Sequence, residues 1–221
     1  MPLLLAQTSE WLVVAKEPGW LTIPGRDPSK SPPVLLEWLR EHHPEAMTVH
    51  RLDRETSGVI LFARSPEAHR KANGWFSSHE TRKFYDALAE GELTSPMLRI
   101  NAPIAGSASL SQVDRKEVYP GCFLARVRIV TGRRHQVRIH LAGEGHPILG
   151  DLEYGGRRNL EEEGAAPLAF GRVALHAARL ELPSGEVFEA PWPLDFASWV
   201  DELRRRSSRS PVKSEKSEKS R

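Results

Sequence analysis

Only one cysteine, Cys122, occurs in 221 residues, which excludes an intramolecular disulfide and leads us to expect a reducing, cytoplasmic setting. Cys122 itself reads as a small semi-buried hydrophobe rather than a catalytic thiol. Long hydrophobic runs are missing too. No stretch approaches the ~20 apolar residues of a membrane helix. The opening MPLLLAQTSEW lacks the basic flank and apolar length of a signal peptide. Several site patterns are absent: a P-loop, a GxGxxG after a strand, a CxxC and an HExxH. No metal, no nucleotide cofactor and no membrane partner are therefore expected. Histidines do occur, but His42 and His43 fall at a predicted helix end. His135 and His140 are five apart, a poor spacing for one helical face.

What is present is ordinary for a folded soluble chain. Hydrophobic residues make up 39% and charged residues 27%, and the length suffices for one sizeable core or two small ones. The net charge of +2 conceals an uneven distribution. Residues 203 to 221, LRRRSSRSPVKSEKSEKSR, hold eight basic and two acidic side chains; the rest of the chain then carries 23 basic against 27 acidic, a net of −4. A polyanionic partner must therefore meet a local basic patch on the body, or the tail. The tail has little to bury, so residues 205–221 are expected to be a basic disordered segment, serving either solubility or an electrostatic tether to RNA. Residues 1–204 are expected to form one domain, since no linker composition divides them.

WLVVAK (11–16) predicts a strand ending at the Pro18-Gly19 turn. Ser31-Pro32-Pro33 predicts the opening of a helix to about His42, with Leu35, Leu36 and Leu39 inward. Val59 to Ala63 reads as a buried strand, and Ser65-Pro66 as the cap of a helix to about Phe76. Strands are expected over 81–92, 123–130 and 174–182. HQVRIHLAGEG fits both a helix ending at glycine and an alternating strand; the helix is favoured. Phe196, Trp199, Val200 and Leu203 mark a closing amphipathic helix. Strands outnumber helices and do not alternate regularly with them. The expected class is α+β with a mixed sheet.

Two segments concentrate the chemistry. In HRLDRETSGVILFARS (50–65), Asp53 lies between Arg51 and Arg54 where a loop enters an apolar strand. An opposite charge within ~4–6 Å favours an ionised carboxylate, which can act as nucleophile or base. Alone, however, the segment fits a structural aspartate that caps a turn and pairs with Arg54. In TGRRHQVRIHLAGEGHPILGDLEYGG (131–156), Arg133, Arg134, His135, Gln136 and Arg138 crowd together before a series of glycine turns. That pattern suits a phosphate or carboxylate partner, or simply a solvated helix.

Taken together, the two segments closely resemble the two signature regions of the RluA-type RNA pseudouridine synthases. KEPG (16–19), RKFYDALAEG (82–91), LHAARLELP (175–183) and EAPWPLDF (189–196) resemble further family motifs in order. The resemblance spans residues 11 to about 203. It implies a pseudouridine-synthase-like, mixed and largely antiparallel central sheet flanked by helices, with an RNA-binding cleft. It implies isomerisation of uridine in transfer or ribosomal RNA to pseudouridine, without cofactor, by a monomer. On this basis Asp53, Tyr85 and Arg138 are the expected catalytic residues. Asp53 acts on a flipped-out uridine, Arg138 pairs with it and Tyr85 stacks on the uracil. Arg51, Arg54, Arg133, Arg134, His135 and Gln136 are the expected RNA contacts, with Arg51 filling the gap left by the extruded base.

The chain departs from the pattern at Arg134, where the family has threonine, at Glu17, and across residues 105–122, where no family strand is recognisable. It also begins directly in the catalytic body, without the small RNA-binding domain often fused ahead of it. That feature leans the expected substrate toward a small stem-loop such as transfer RNA. Two other readings remain at this level: an RNA-binding protein without activity, and a hydrolase using Asp53. Glycoside hydrolysis generally needs a second carboxylate, and Glu55 and Asp151 are the less suitable candidates at hand.

Overall fold

Apolar and alternating runs pair into one large sheet. The computed structural model describes residues 1–25, 32–162 and 164–209. Twelve strands and four helices follow in chain order: β1 (Leu3–Gln7), β2 (Trp11–Lys16), α1 (Leu35–Arg40), β3 (Met47–Thr48), β4 (Ser57–Ala63), α2 (Pro66–Ser77), β5 (Arg82–Glu90), β6 (Met97–Ile100), β7 (Ser111–Tyr119), β8 (Cys122–Ile129), α3 (Gln136–Gly143), β9 (Asn159–Leu160), β10 (Leu168–Ala169), β11 (Leu175–Glu181), β12 (Val187–Glu189) and α4 (Leu194–Arg209). The main sheet runs β1-β2-β4-β11-β5-β8-β7-β6, with β12 beside β11 and β3 beside β4. Every pairing is antiparallel except β4 with β11. The expected α+β class with a mixed, mainly antiparallel sheet is what the chain adopts.

The parallel pair is a seam between two apolar cores. One core gathers β2, β4, α1 and α2 around Trp11, Leu35, Leu61 and Phe62. The other gathers β5, β8, α3 and α4 around Phe123, Leu141, Phe170 and Phe196, and Tyr85 touches both. Gly58 makes the seam possible. Its φ is 120°, and a Cβ there would lie 2.2 Å from the Ala177 carbonyl oxygen. Only glycine fits so close an approach.

The segment that matched no family strand, 105–122, contains all of β7. This strand pairs with β8 through the two-residue turn Pro120-Gly121, with a register shift between Arg115 and Glu117. Its inward face is partly polar and so carries no hydrophobic period: buried Ser111 Oγ accepts from Gln136 Nε2 at 3.2 Å and is hydrogen-bonded to His140 Nδ1 at 2.9 Å. At the other end, α4 continues through residues 205–209, which charge alone assigned to the tail. Two arginines of α4 are anchored to the body. Arg204 bonds both Glu117 carboxylate oxygens at 2.9 and 2.6 Å, and buried Arg206 donates to the Ala166 carbonyl at 2.8 Å. The remainder of the expected tail, 210–221, and the helix opening at Ser31 lie outside the described residues.

Candidate active site

Asp53 is presented by a loop whose neighbours are each fixed. Leu52 exchanges hydrogen bonds with the Thr22 hydroxyl at 3.2 and 3.3 Å. The Arg54 carbonyl accepts from buried Lys16 Nζ at 3.0 Å and from the Gly19 amide at 2.9 Å. The Glu55 carbonyl accepts from Arg172 at 3.0 Å, and His50 Nε2 accepts from the Leu61 amide at 3.0 Å. Lys16 donates to two more carbonyls, Glu17 and Trp20, both at 2.9 Å, so the KEPG turn is stitched to the Asp53 loop. Burial foremost, and then the Arg172 charge, lower the Lys16 pKa to about 7. Burial takes the His50 pKa to about 3, which leaves its ring neutral as an acceptor. A loop held at His50, Leu52, Arg54 and Glu55 loses little entropy on binding and keeps its carboxylate in place.

The carboxylate faces α3. His135 Nε2 lies 3.6 Å from Asp53 Oδ1, and Arg138 Nη1 lies 3.9 Å from Oδ2. These two residues are one helical turn apart, so a single helix end meets both oxygens. The expected Asp53–Arg138 pair is thus present as an ion pair, but Arg138 gives its hydrogen bonds elsewhere. Its Nε and Nη2 bind buried Asp151 at 2.6 and 2.7 Å, and Nη2 reaches Glu153 at 2.9 Å. Burial opposes the guanidinium charge, while the bonds and charges of Asp151 and then Glu153 outweigh it and raise the Arg138 pKa. The Arg138 bond in turn holds the Glu153 carboxyl below the usual range. The Tyr154 ring covers the Arg138 guanidinium at 4.8 Å.

Tyr85 projects from β5 beside this pair. Burial, and secondarily the charge of Asp53, raise its phenol pKa above the ordinary value, so it is a neutral O–H group at neutral pH. Two residues along the same face, Lys83 is buried with its Nζ 3.4 Å from the Thr131 carbonyl, and burial lowers its pKa to about 8.

The expected RNA contacts divide. Arg51, Arg54, Arg133 and Arg134 are all exposed. Arg54 bonds to Glu55 at 2.7 Å, so the pairing with Asp53 that the loop alone suggested is not the one formed. Gln136 requires a correction. It is 3% exposed, its oxygen accepts from Thr131 Oγ1 at 2.7 Å and the Arg133 amide at 3.0 Å, and its nitrogen donates to Leu110 and Ser111. With both donors and both acceptors used inside the fold, Gln136 holds the loop before α3 rather than contacting RNA. His135 also faces protein on both ring nitrogens. Sequence reasoning missed Lys16, Glu153 and Tyr154, and it weighed Asp151 only as a second carboxylate. Their residue types are visible in KEPG and GDLEYGG, but their partners lie far away in sequence.

Gly150, in the same segment, has φ 80°, and a Cβ there would lie 2.0 Å from the Arg172 carbonyl oxygen. That glycine turns the chain so that Asp151 points back at Arg138. Among the described residues, no group of three or more His, Cys, Asp or Glu side chains could hold a metal ion. Among the same residues, no helix is long and apolar enough to cross a membrane.

The comparisons with known proteins bear on this geometry. The family model for RNA pseudouridylate synthase matches residues 10–143, the span from β2 through α3. Ribosomal large subunit pseudouridine synthase D of Pseudomonas aeruginosa is 34% identical over 186 residues, covering 73% of this chain and 58% of that protein. The synthase D of Pasteurella multocida is 31% identical over 231 residues, covering 91% and 70%. Synthase C of Escherichia coli is 35% identical over 186 residues, covering 73% and 57%. The chain thus spans less than two thirds of the first and third of these relatives. Among solved structures, human RNA pseudouridylate synthase domain containing 4 superposes with a TM-score of 0.71 at 21% identity, covering 91% of this chain and 92% of that one. Human domain containing 1 gives 0.68 at 24% identity, covering 96% of each chain. With a family model over more than half its length and both signature segments built around Asp53, this chain belongs to the RNA pseudouridylate synthase family.

Proposed function

We propose that the protein isomerises uridine to pseudouridine within ribosomal RNA, using Asp53 on a uridine turned out of its stack. The observation that carries the reading is the meeting of Asp53 with His135, Arg138 and Tyr85 at one point, on a loop held by buried hydrogen bonds. The reaction needs no atom beyond the substrate's own. The N1–C1′ bond breaks, a C5–C1′ bond forms, the proton on C5 leaves and N1 gains one. An aspartate that attacks the sugar or takes its proton starts the bond cleavage. The ring of the neutral Tyr85 can stack on the uracil, and its hydroxyl can assist the later proton transfer. The exposed arginines 51, 54, 133 and 134 rim the site and suit phosphate contacts that offset the few kcal/mol of unstacking. Ribosomal RNA is favoured because the relatives above are named for the large ribosomal subunit.

The test is tritium release from RNA labelled at uridine C5, with unmodified ribosomal RNA and transfer RNA offered separately. Wild-type protein should release tritium from ribosomal RNA, and Asp53→Asn should reduce release below detection. RNA affinity should persist in that variant, because the rim arginines do not depend on the carboxylate. Free uracil in place of pseudouridine would identify a hydrolase. Release from transfer RNA alone would correct the substrate.

A further inference from the structure

His135 is unusual in three respects. It is a non-glycine residue in the left-handed region, with φ 55° and ψ 23°, immediately before α3. Such strain persists only where surroundings enforce it, and it concentrates at working sites. Its side chain is only 10% exposed. Its Nδ1 lies 2.9 Å from the Tyr154 hydroxyl, and the two rings meet edge to face at 5.7 Å, so the imidazole cannot rotate freely. Its Nε2 is thereby aimed at Asp53 Oδ1, 3.6 Å away.

Arg138 does not make this contact redundant. Its hydrogen bonds go to Asp151 and Glu153, and it stands 3.9 Å from the other oxygen of Asp53. One positive charge is shared among three carboxylates. Arg138 Nη1 faces Oδ2, and the group placed to direct an N–H at the other oxygen, Oδ1, is His135.

We infer that His135 is a positioning residue for Asp53: its Nε2–H donates to Oδ1 in the RNA-bound enzyme, and the Tyr154 hydroxyl, donating to Nδ1, fixes that tautomer. This rests on the proposed isomerase reading, in which Asp53 is the acting carboxylate. A neutral imidazole has one N–H and one lone pair, so a hydroxyl donating to Nδ1 places the hydrogen on Nε2. The charged and titratable groups facing the ring are Asp53, Glu153 (3.7 Å from Nδ1), Arg134 (whose Nε donates to Nε2 at 3.5 Å in the free protein), Arg138 and Tyr154. Arg134 is exposed and free to swing to a phosphate, whereas Asp53 is held by its loop. Nε2 therefore belongs to Asp53 once RNA is bound. Catalytic hydrogen bonds of this kind are commonly long in the free enzyme and close when substrate excludes water.

Three substitutions and one double variant test the inference by single-turnover and steady-state kinetics on labelled ribosomal RNA. Asparagine tolerates the left-handed backbone but is too short to reach the Nε2 position, whereas glutamine carries an amide N–H to about that place. His135→Asn should lower kcat about 10²-fold, with RNA affinity within about twofold of wild type. His135→Gln should recover most of that loss. Tyr154→Phe keeps both ring contacts and removes only the hydroxyl. It should lower kcat about fivefold beside His135 and leave the His135→Gln background unchanged, since an amide has no tautomer to fix. A raised KM with intact kcat in His135→Asn would make His135 an RNA contact and overturn the inference. So would equal kcat for the asparagine and glutamine variants, or a Tyr154→Phe effect that persists in the glutamine background. Wild-type protein inactive on every RNA offered would overturn the isomerase reading, and this inference with it.

Discussion

The two signature segments reach rigidity by opposite means. Residues 57–63 form β4, every residue of which is buried, and the backbone of the loop before it is pinned from outside by Lys16, Thr22 and Arg172 and by the Gly19 amide. Residues 131–156 are held by buried polar side chains: Gln136, Arg138, His140 and Asp151 are each less than 9% exposed and each is hydrogen-bonded. The first segment has one shape because apolar atoms and a glycine leave no room for another. The second has one shape because leaving any donor or acceptor unpaired would cost about 1–3 kcal/mol. The site lies where the steric half presents a carboxylate to the electrostatic half. Damage to the two halves should therefore differ in kind.

The largest effect is expected at the seam. Gly58→Ala forces a Cβ into the Ala177 backbone and should destabilise the fold by more than about 4 kcal/mol, equally at low and high salt. Soluble protein that melts within a few degrees of wild type would show that β4 and β11 can part without harm.

Breaking the electrostatic half should cost somewhat less. Asp151→Asn removes the charge paired with buried Arg138 at 2.6 Å, and a loss of about 3 kcal/mol is expected, read by urea denaturation. Tritium release should fall with it even where the variant is fully folded, because Arg138 is freed to bind Asp53 directly. Normal turnover in folded Asp151→Asn would show that the position of Arg138 is not set by Asp151.

Acid should expose the neutral histidines of both halves. Burial lowers the pKa of His50 to about 3 and also lowers those of His140 and His176. Between the folded and unfolded values the unfolded chain binds more protons, so stability falls as pH drops below about 6.5. For His50 the loss at pH 5 is about 2 kcal/mol, from 1.36 kcal/mol per unit over that interval. Melting curves at pH 7.5 and 5.0 measure it, and equal midpoints would contradict the burial of these rings.

The smallest effects belong to the rim. Arg133→Gln and Arg134→Gln should leave the melting temperature unchanged. Each should reduce by about one the slope of log affinity against log salt for RNA. An unaltered slope in both would remove these arginines from the phosphate path.

Sequence carried the apolar half well. The strands at β2, β4, β5, β8 and β11 and the helices α2 and α4 follow from runs, alternation and caps such as Ser65, whose hydroxyl accepts from the Ala68 amide at 3.1 Å. The electrostatic half was legible only in part. The motifs place Arg138 beside Asp53, but an amide in an Arg-rich segment reads as solvated, whereas Gln136 is buried. Its partners, Leu110 and Ser111, lie in the very stretch where β7 went unrecognised. Missing the strand and misreading the glutamine were one error: a buried polar strand face carries no hydrophobic period.

By itself the sequence determined the class of fold and the family, and it singled out Asp53 as the proposed acting carboxylate, because those rest on local patterns: apolar periodicity, glycine turns and two contiguous motifs. Which groups stand around Asp53 was decided by tertiary structure. Lys16 reaches the Arg54 carbonyl across 38 positions, Arg172 reaches the Glu55 carbonyl across 117, and His135 meets Asp53 across 82. Hydrogen bonds and ion pairs act over a few ångströms in space, and nothing in the order of residues along a chain records which polar groups folding will bring within that range.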